Sequence, residues 1–334
     1  MIPTSPRLRI AVLDDYQDVV RTLDCFKRLH GHDIDVWNDS VADVDVLAKR
    51  LADADVLVLL RERTKVDEAL VSRLPRLKLI SQNGHVPHID LDACTRHGVI
   101  VSSALTQRPS YPTVELTWGL ILAAMRNIPF ESEALRSGSW QTTIGLGLRG
   151  RTLGIYGFGR LGAMVARIGA AFGMELLVWG RRGSLDRAQA EGFPIAPSKE
   201  ALFAKSDVLS LHLRLNAETA GLIGPADLTL MKPTAVLVNT SRAELIEPGA
   251  LVAALREGRP GKAAIDVFEH EPLTNPDDPL LLQPNALCTP HLGYVERDNY
   301  EFAYGNAFDQ ILAFADGKPI NVHNTDVLKQ EHRK

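Results

Sequence analysis

Short apolar runs alternate with segments of helical period along most of the chain. Residues 10–13 (Ile-Ala-Val-Leu) predict a strand, and Val19, Val20, Leu23 and Phe26 then mark one face of a helix. The alternation recurs, with 56–60 as strand, 66–74 as helix, 77–80 as strand and 99–101 as strand. Strands this short and apolar, separated by helices, indicate a parallel sheet covered on both faces. Past residue 104 the rhythm breaks. A loop with Pro109 and Pro112 precedes 113–125, which is apolar nearly all round and predicts a buried helix. A glycine-rich, turn-forming stretch covers 136–150. Residues 153–156 open a second alternating series, whose further strands fall at 176–179, 208–211, 235–238, 263–265 and 286–288. A last helix, 296–315, stands outside that series. The pattern predicts an α/β chain of two parallel-sheet domains with a ligand cleft between them.

Composition narrows the function classes. The 334 residues are 45% hydrophobic and 23% charged, as in ordinary globular domains, and suffice for two cores. A net charge of −4, with no basic stripe, argues against a nucleic-acid partner. Cys25, Cys94 and Cys288 are an odd count without metal-ligand spacing, so neither a disulfide framework nor a metal site is expected. The amino terminus reaches charge too early for a secretory signal, and no apolar run is long enough to span a membrane. A reducing, cytoplasmic location is expected.

Chemistry enters with Gly157-Phe158-Gly159-Arg160-Leu161-Gly162, which fits G-x-G-x-x-G. Alone such a run marks any tight turn. Here it follows a predicted strand and opens a helix at Arg160, with Ala163, Ala166 and Ala170 small enough for close packing on the sheet. That context predicts a dinucleotide pyrophosphate seated on the helix N-terminus. The second strand of such a fold normally ends in a carboxylate for the ribose hydroxyls. This chain has Gly180 there, followed by Arg181, Arg182 and Ser184. A carboxylate would repel a 2′-phosphate, whereas arginines bind one through charge-assisted hydrogen bonds. NADP(H) is therefore favoured. The alternative is a solvated turn and NAD(H).

Three further segments each follow a predicted strand: Asn239-Thr240-Ser241-Arg242, Asp266 to Pro272, and Thr289-Pro290-His291-Leu292-Gly293. Ligands of open α/β sheets gather at the carboxyl ends of strands. Reduction of a 2-keto acid needs a cation for the carboxylate and carbonyl, a proton donor for the developing alkoxide, and a hydride source. Arg242 supplies the first and His291 the second, with Glu271 to orient the imidazole. By composition alone Glu269 or His270 fits the orienting role as well. Asp266 is placed against the nicotinamide carboxamide or behind the catalytic groups. Taken singly, Arg242 also reads as a surface ion pair and His291 as a turn residue.

In these segments the chain resembles the D-isomer-specific 2-hydroxyacid dehydrogenases, and the resemblance spans essentially its whole length. It is densest in LRGRTLGIYGFGRLG, VLVNTSRAELIEPGALVAAL, AAIDVFEHEPL and CTPHLG. The resemblance implies a Rossmann cofactor domain, 104–296, inserted in a flavodoxin-like substrate domain, 1–103 with 297–334, with hinges near 103 and 296. It implies Arg242 as the substrate arginine and Glu271 as partner of His291, the general acid/base. Thr117, Thr240, Ser241, Asp266, His291 and Gly293 become cofactor contacts beside the glycine turn and 180–182. Gly84, His85 and Val86 match a loop whose backbone N–H groups meet the substrate carboxylate. Arg61 matches a cleft-facing contact, and Arg61 with Arg63 would suit a phosphorylated substrate. The stretch before residue 153 matches a dimerisation arm, so a homodimer is expected. Ending at Lys334, the chain is expected to lack the extra regulatory domain of many long phosphoglycerate dehydrogenases. Three departures stand out: the absent ribose acid, Arg214 where proline is common, and His85, Pro87 and His88 in the carboxylate loop. The implied activity is NAD(P)-dependent reduction of a small 2-keto acid to glycerate, glycolate or 3-phosphoglycerate. A dinucleotide-sensing regulatory scaffold of the same fold is the alternative.

Overall fold

The computed structural model of the chain describes residues 7–105 and 111–331. Pro109, Lys334 and the first six residues, which the sequence reading drew on, lie outside that range. The chain divides into two compact units, Met1–Pro109 with Glu296–Lys334, and Ser110–Val295.

The first unit holds a five-stranded sheet of β1 (Arg9–Val12), β2 (Asp33–Val36), β3 (Val56–Val58), β4 (Leu79–Asn83) and β5 (Ile100–Ala104). Their order is β2-β1-β3-β4-β5, every neighbour parallel. This is the flavodoxin-like order. Strand β2 is absent from the hydrophobic pattern because its sequence, DIDV, alternates. It is the edge strand, half exposed, and needs no continuous apolar run. The helix Arg297–Ala315 returns to this unit and packs on β4, its start capped by the Glu296 side chain on the Asp298 and Asn299 amides.

Two predicted helices of this unit are corrected. The face marked by Val20, Leu23 and Phe26 belongs to two 3₁₀ segments, Val20–Thr22 and Asp24–Leu29. Its spacing of three is the 3₁₀ period rather than the α period. Of 66–74, only Glu68–Val71 is α-helical. Val66 forms a parallel bridge to Ile89, the Asp67 side chain caps the turn, and Pro75 disfavours helical backbone just before it.

The second unit holds β6 (Thr152–Tyr156), β7 (Glu175–Trp179), β8 (Val208–Leu211), β9 (Val236–Asn239), β10 (Lys262–Ile265) and β11 (Ala286–Cys288). The order β11-β10-β9-β8-β6-β7 is again all parallel. Ile195 adds a single parallel bridge to Val178 of β7. It stands where the Rossmann order 3-2-1-4-5-6 has its outer third strand. The helix Tyr111–Arg126 buries Val114, Thr117, Trp118, Leu120 and Ile121 beneath this sheet. Pro112 lies in its first turn, where a missing N–H costs nothing, rather than in the preceding loop. The next helix, Ile128–Arg136, buries no residue.

Candidate active site

Each chemically interesting segment of the second unit begins where a strand ends. After β6, Gly157 adopts a φ of +98°, and a Cβ there would lie 2.6 Å from the His212 carbonyl oxygen. Gly162 packs the helix Arg160–Ala171 so closely on the turn that a Cβ would lie 2.1 Å from the Gly157 oxygen. Gly159, the helix N-cap, faces open space. Two glycines are thus required by the chain's own packing, and the third clears the helix N-terminus for a ligand. Arg160 and Leu161 form the first turn behind it. The turn fits a pyrophosphate group.

The end of β7 is crowded. A Cβ on Gly180 would meet the Ser184 Cβ at 3.2 Å, with the Gly157 Cα 3.5 Å away. Arg181 occupies the N-cap position of the helix Arg182–Ala190 without a side-chain capping bond and forms an exposed ion pair with Glu218 at 2.7 Å. Arg182 is exposed in its first turn. Arg187, a residue the sequence reading did not name, folds back so that Nε donates to the Phe158 carbonyl at 3.1 Å and Nη2 to the Ser184 hydroxyl at 3.4 Å. Its spacing of three from Ser184 on one helix was the available signal. Glu218, thirty-seven residues from Arg181, gave none.

At the end of β9, the buried Asn239 holds the next residues in a tight turn. Its Nδ2 donates to the Arg242 carbonyl at 2.8 Å, and its Oδ1 accepts from the Ser241 amide at 3.0 Å. Ser241 Oγ donates to the Leu211 carbonyl at 2.7 Å. The Thr240 and Thr117 hydroxyls lie 2.8 Å apart, and Thr117 Oγ1 donates to the Thr113 carbonyl at 2.7 Å. Thr117 is fully buried. One Arg242 Nη1 bond, to the Ser241 carbonyl at 2.7 Å, steadies the guanidinium.

Asp266 ends β10 with no solvent exposure. Its Oδ1 accepts from Thr289 Oγ1 at 2.6 Å and the Leu292 amide at 2.7 Å, and its Oδ2 accepts from the Gly293 amide at 2.8 Å. The carboxyl group therefore organises the turn that presents His291, the second of the two positions the sequence allowed. Burial raises its pKa against these hydrogen bonds. A Cβ on Gly293 would press on Asp266 Oδ2 at 3.2 Å, so a larger residue there requires the carboxylate to give by a few tenths of an ångström.

His291 sits in that turn at a φ of +52°, a left-handed conformation uncommon for a non-glycine residue. Its Nδ1 lies 2.5 Å from Glu271 Oε2, while Glu271 Oε1 accepts from the Phe268 amide at 2.9 Å. Burial would raise the Glu271 carboxyl. The hydrogen bond and charge of His291, the Phe268 amide and the Arg242 charge outweigh it and hold the pKa below the ordinary carboxylate value. Glu269 and His270 instead line a neighbouring cavity of about 680 Å³. Among the three acids and bases of this stretch, only Glu271 bonds to His291.

In the first unit, Gly84, His85 and Val86 follow β4, with Gly84 at a φ of +112° and its amide bonded to the Ala104 carbonyl at 2.9 Å. Arg61, exposed, has a φ of +63° just past β3. Arg63 is already committed. Its Nη1 donates to the Asp14 carbonyl at 2.6 Å, and its guanidinium lies 4.2 Å from the centre of the Tyr16 ring. Thr64 Oγ1 donates to Asp14 Oδ2 at 2.6 Å. The expectation of two arginines for a phosphate is reduced accordingly.

Fold and site thus define a Rossmann-type dinucleotide-binding protein with a paired imidazole and carboxylate. The family model for the D-isomer specific 2-hydroxyacid dehydrogenase NAD binding domain matches residues 118–293. The chain is 39% identical over 314 residues to a glyoxylate reductase of Aeropyrum pernix, covering 89% of this chain and 91% of that protein. It is 37% identical over 289 residues to a D-3-phosphoglycerate dehydrogenase of Methanocaldococcus jannaschii, covering 85% of this chain and 54% of that one. A solved oxidoreductase structure from Ralstonia solanacearum superposes with a TM-score of 0.92 at 52% identity, covering 96% and 98% of the two chains. The chain belongs to the D-isomer specific 2-hydroxyacid dehydrogenase family. It is an oxidoreductase that acts on CH–OH donors with a nicotinamide dinucleotide.

Proposed function

We propose that the protein reduces a small 2-keto acid to its D-2-hydroxy acid with Arg242, Glu271 and His291 as the catalytic residues. The 2.5 Å contact between His291 Nδ1 and Glu271 carries this reading. With Nδ1–H donated to the carboxylate, Nε2 is the ring nitrogen that holds and delivers a proton to the substrate oxygen. Glu271 stabilises the imidazolium from which that proton leaves. Arg242 draws electron density from the carbonyl and holds the carboxylate by its planar fork. The nicotinamide, when bound, supplies the hydride. Residues 157–162 hold its pyrophosphate, with Thr117, Thr240, Ser241, Asp266 and Gly293 shaping the nicotinamide end.

The finer cofactor reading is NADP(H). The absent carboxylate at Gly180 and the cluster of Arg181, Arg182, Ser184 and Arg187 support it, while Glu218 competes with a 2′-phosphate for Arg181. The unit of β1–β5 takes the substrate-binding role, with the Gly84–His85–Val86 amides and Arg61 as contacts. Because Arg63 is held by Asp14 and Tyr16, glyoxylate and hydroxypyruvate suit the site better than 3-phosphohydroxypyruvate. A homodimer belongs to the same reading, supported by Phe130, Trp140 and Ile144, which are 60%, 75% and 96% exposed on and after the helix Ile128–Arg136. Cytoplasmic placement is consistent with three free cysteines.

The test is a kinetic screen of these three keto acids with NADH and NADPH, read as loss of reduced-nicotinamide absorbance. Turnover of at least one is expected, and His291→Ala should abolish it while cofactor affinity is retained. No turnover of any would overturn the catalytic reading, and equal loss of turnover and cofactor binding in His291→Ala would misassign the histidine.

A further inference from the structure

The loop after β4 is held from behind by two buried polar side chains. Gln82 and Ser103 are paired across β4 and β5, and each is at most 2% exposed. Ser103 Oγ donates to the Gly84 carbonyl at 2.6 Å, and Gln82 Nε2 donates to the His85 carbonyl at 2.7 Å. Both bonds pull consecutive carbonyls back toward the sheet. The two intervening peptide bonds are trans. In a trans peptide the N–H points opposite to the C=O of the same plane. The His85 and Val86 amides are therefore directed away from Ser103 and Gln82, side by side. Among the described residues, neither amide has an acceptor. A Cβ on Gly84 would meet nothing within 4 Å, so the outer side of the loop is open.

The supports are themselves anchored. Gln310, fully buried on the helix Arg297–Ala315, donates to Ser81 Oγ at 3.0 Å and to the Gln82 carbonyl at 2.9 Å. Ser81 Oγ donates to the Ala307 carbonyl at 2.8 Å. The Ser103 amide donates to the Asn321 carbonyl at 3.0 Å, and its carbonyl lies 3.0 Å from His323 Nε2. Gln82 Oε1 and Gln310 Oε1 are buried without a partner among the described residues, so each side chain is held through its Nε2.

We propose that Gln82 and Ser103 are positioning residues that fix the His85 and Val86 amides as a preset pair of donors for the substrate carboxylate. The inference rests on the reading of this loop as the carboxylate site. Without either side chain, one peptide plane is released and the donor pair must be ordered at the moment of binding. Affinity for the keto acid falls while the proton and hydride chemistry of the second unit is untouched.

The experiment compares Gln82→Met, Ser103→Ala and Ser103→Thr with Val86→Pro, which deletes one donor directly. Val86 precedes Pro87 and is already confined to extended backbone that proline tolerates. Steady-state kinetics with the keto acid turned over best, direct cofactor titration and thermal melting are measured on each. Gln82→Met and Ser103→Ala should each raise KM about tenfold, with kcat within about threefold and cofactor affinity unchanged. Ser103→Thr, which keeps the hydroxyl, should restore KM. If Val86→Pro raises KM but the Gln82 and Ser103 variants do not, the positioning role is refuted and the loop reading stands. If Val86→Pro also leaves KM unchanged, the loop reading itself falls. Parallel losses in kcat, cofactor binding and melting temperature would mark the two residues as merely structural and overturn the proposal.

Discussion

Replacing Glu271 by Gln removes one charge and almost no volume. The consequence follows from what the two oxygens do. Oε1 accepts from the Phe268 amide at 2.9 Å and Oε2 from His291 Nδ1 at 2.5 Å. An amide has one acceptor and one NH₂ group, so it cannot accept from both. If its oxygen stays on Phe268, the NH₂ faces Nδ1 and the neutral ring must carry its proton on Nε2. That tautomer lacks the Nε2 lone pair needed as base for alcohol oxidation, and it is a poor acid for ketone reduction. A charge pair at 4 Å is worth about 4 kcal/mol at an effective dielectric of 20. The side chains of His291 and Glu271 are 25% and 32% exposed, so solvent screens part of this. A loss of about 1.5–3 kcal/mol remains, a fall in kcat of about 10- to 150-fold near neutral pH. Steady-state reduction at neutral pH, with cofactor affinity followed by fluorescence, checks this. A kcat within about threefold of the unsubstituted protein would refute the assigned pairing.

Three other outcomes are expected. Converting Arg181 and Arg182 to Ala should weaken NADPH binding about 10- to 100-fold and NADH less than about threefold; equal effects would reject the 2′-phosphate reading. Arg242→Lys should lower kcat/KM roughly 100-fold, because an ammonium cannot reproduce the two-pronged contact, and near-normal turnover would remove Arg242 from the site. His212, whose Nδ1 is buried without a partner among the described residues, has its pKa pushed down to about 4 by burial. An unfolded histidine binds its proton near pH 6.5, so this stability is fully present above that value. It is lost as pH falls toward 4, amounting to roughly 3 kcal/mol. His212→Asn should flatten the acid side of the urea-denaturation profile between those values, and parallel profiles would contradict the burial argument.

Residues local in sequence were the legible ones. The G-x-G-x-x-G run could be read because a strand, a turn and a helix start lie within a dozen residues, although only Gly162 finds its contact inside that span and Gly157 answers to His212, far along the chain. The strand ends at Asn239, Ile265 and Cys288 could be placed because apolar runs of three or four residues between helical segments have few other homes. The edge strand Asp33–Val36 escaped because half exposure removes the apolar signal. The 3₁₀ turns at 20–29 were misread because periods of 3.0 and 3.6 nearly coincide over two turns.

Spacing and hydrophobic period by themselves determined the two parallel sheets, the glycine turn and the strand ends at which reactive groups stand. Residue type alone left Glu269, His270 and Glu271 open as partners of His291 and the family resemblance pointed to Glu271; tertiary structure brings Glu271 to His291 and decided that Asp266 faces inward to the turn rather than outward. It also decided that Arg63 is held by Asp14, that Arg181 pairs with Glu218, and that Gln82 and Ser103 turn two amides outward. The physical reason is range. Backbone period and turn geometry act over a few residues, whereas a side chain's partner is chosen by whichever distant segment the packed sheet brings within about 3 Å.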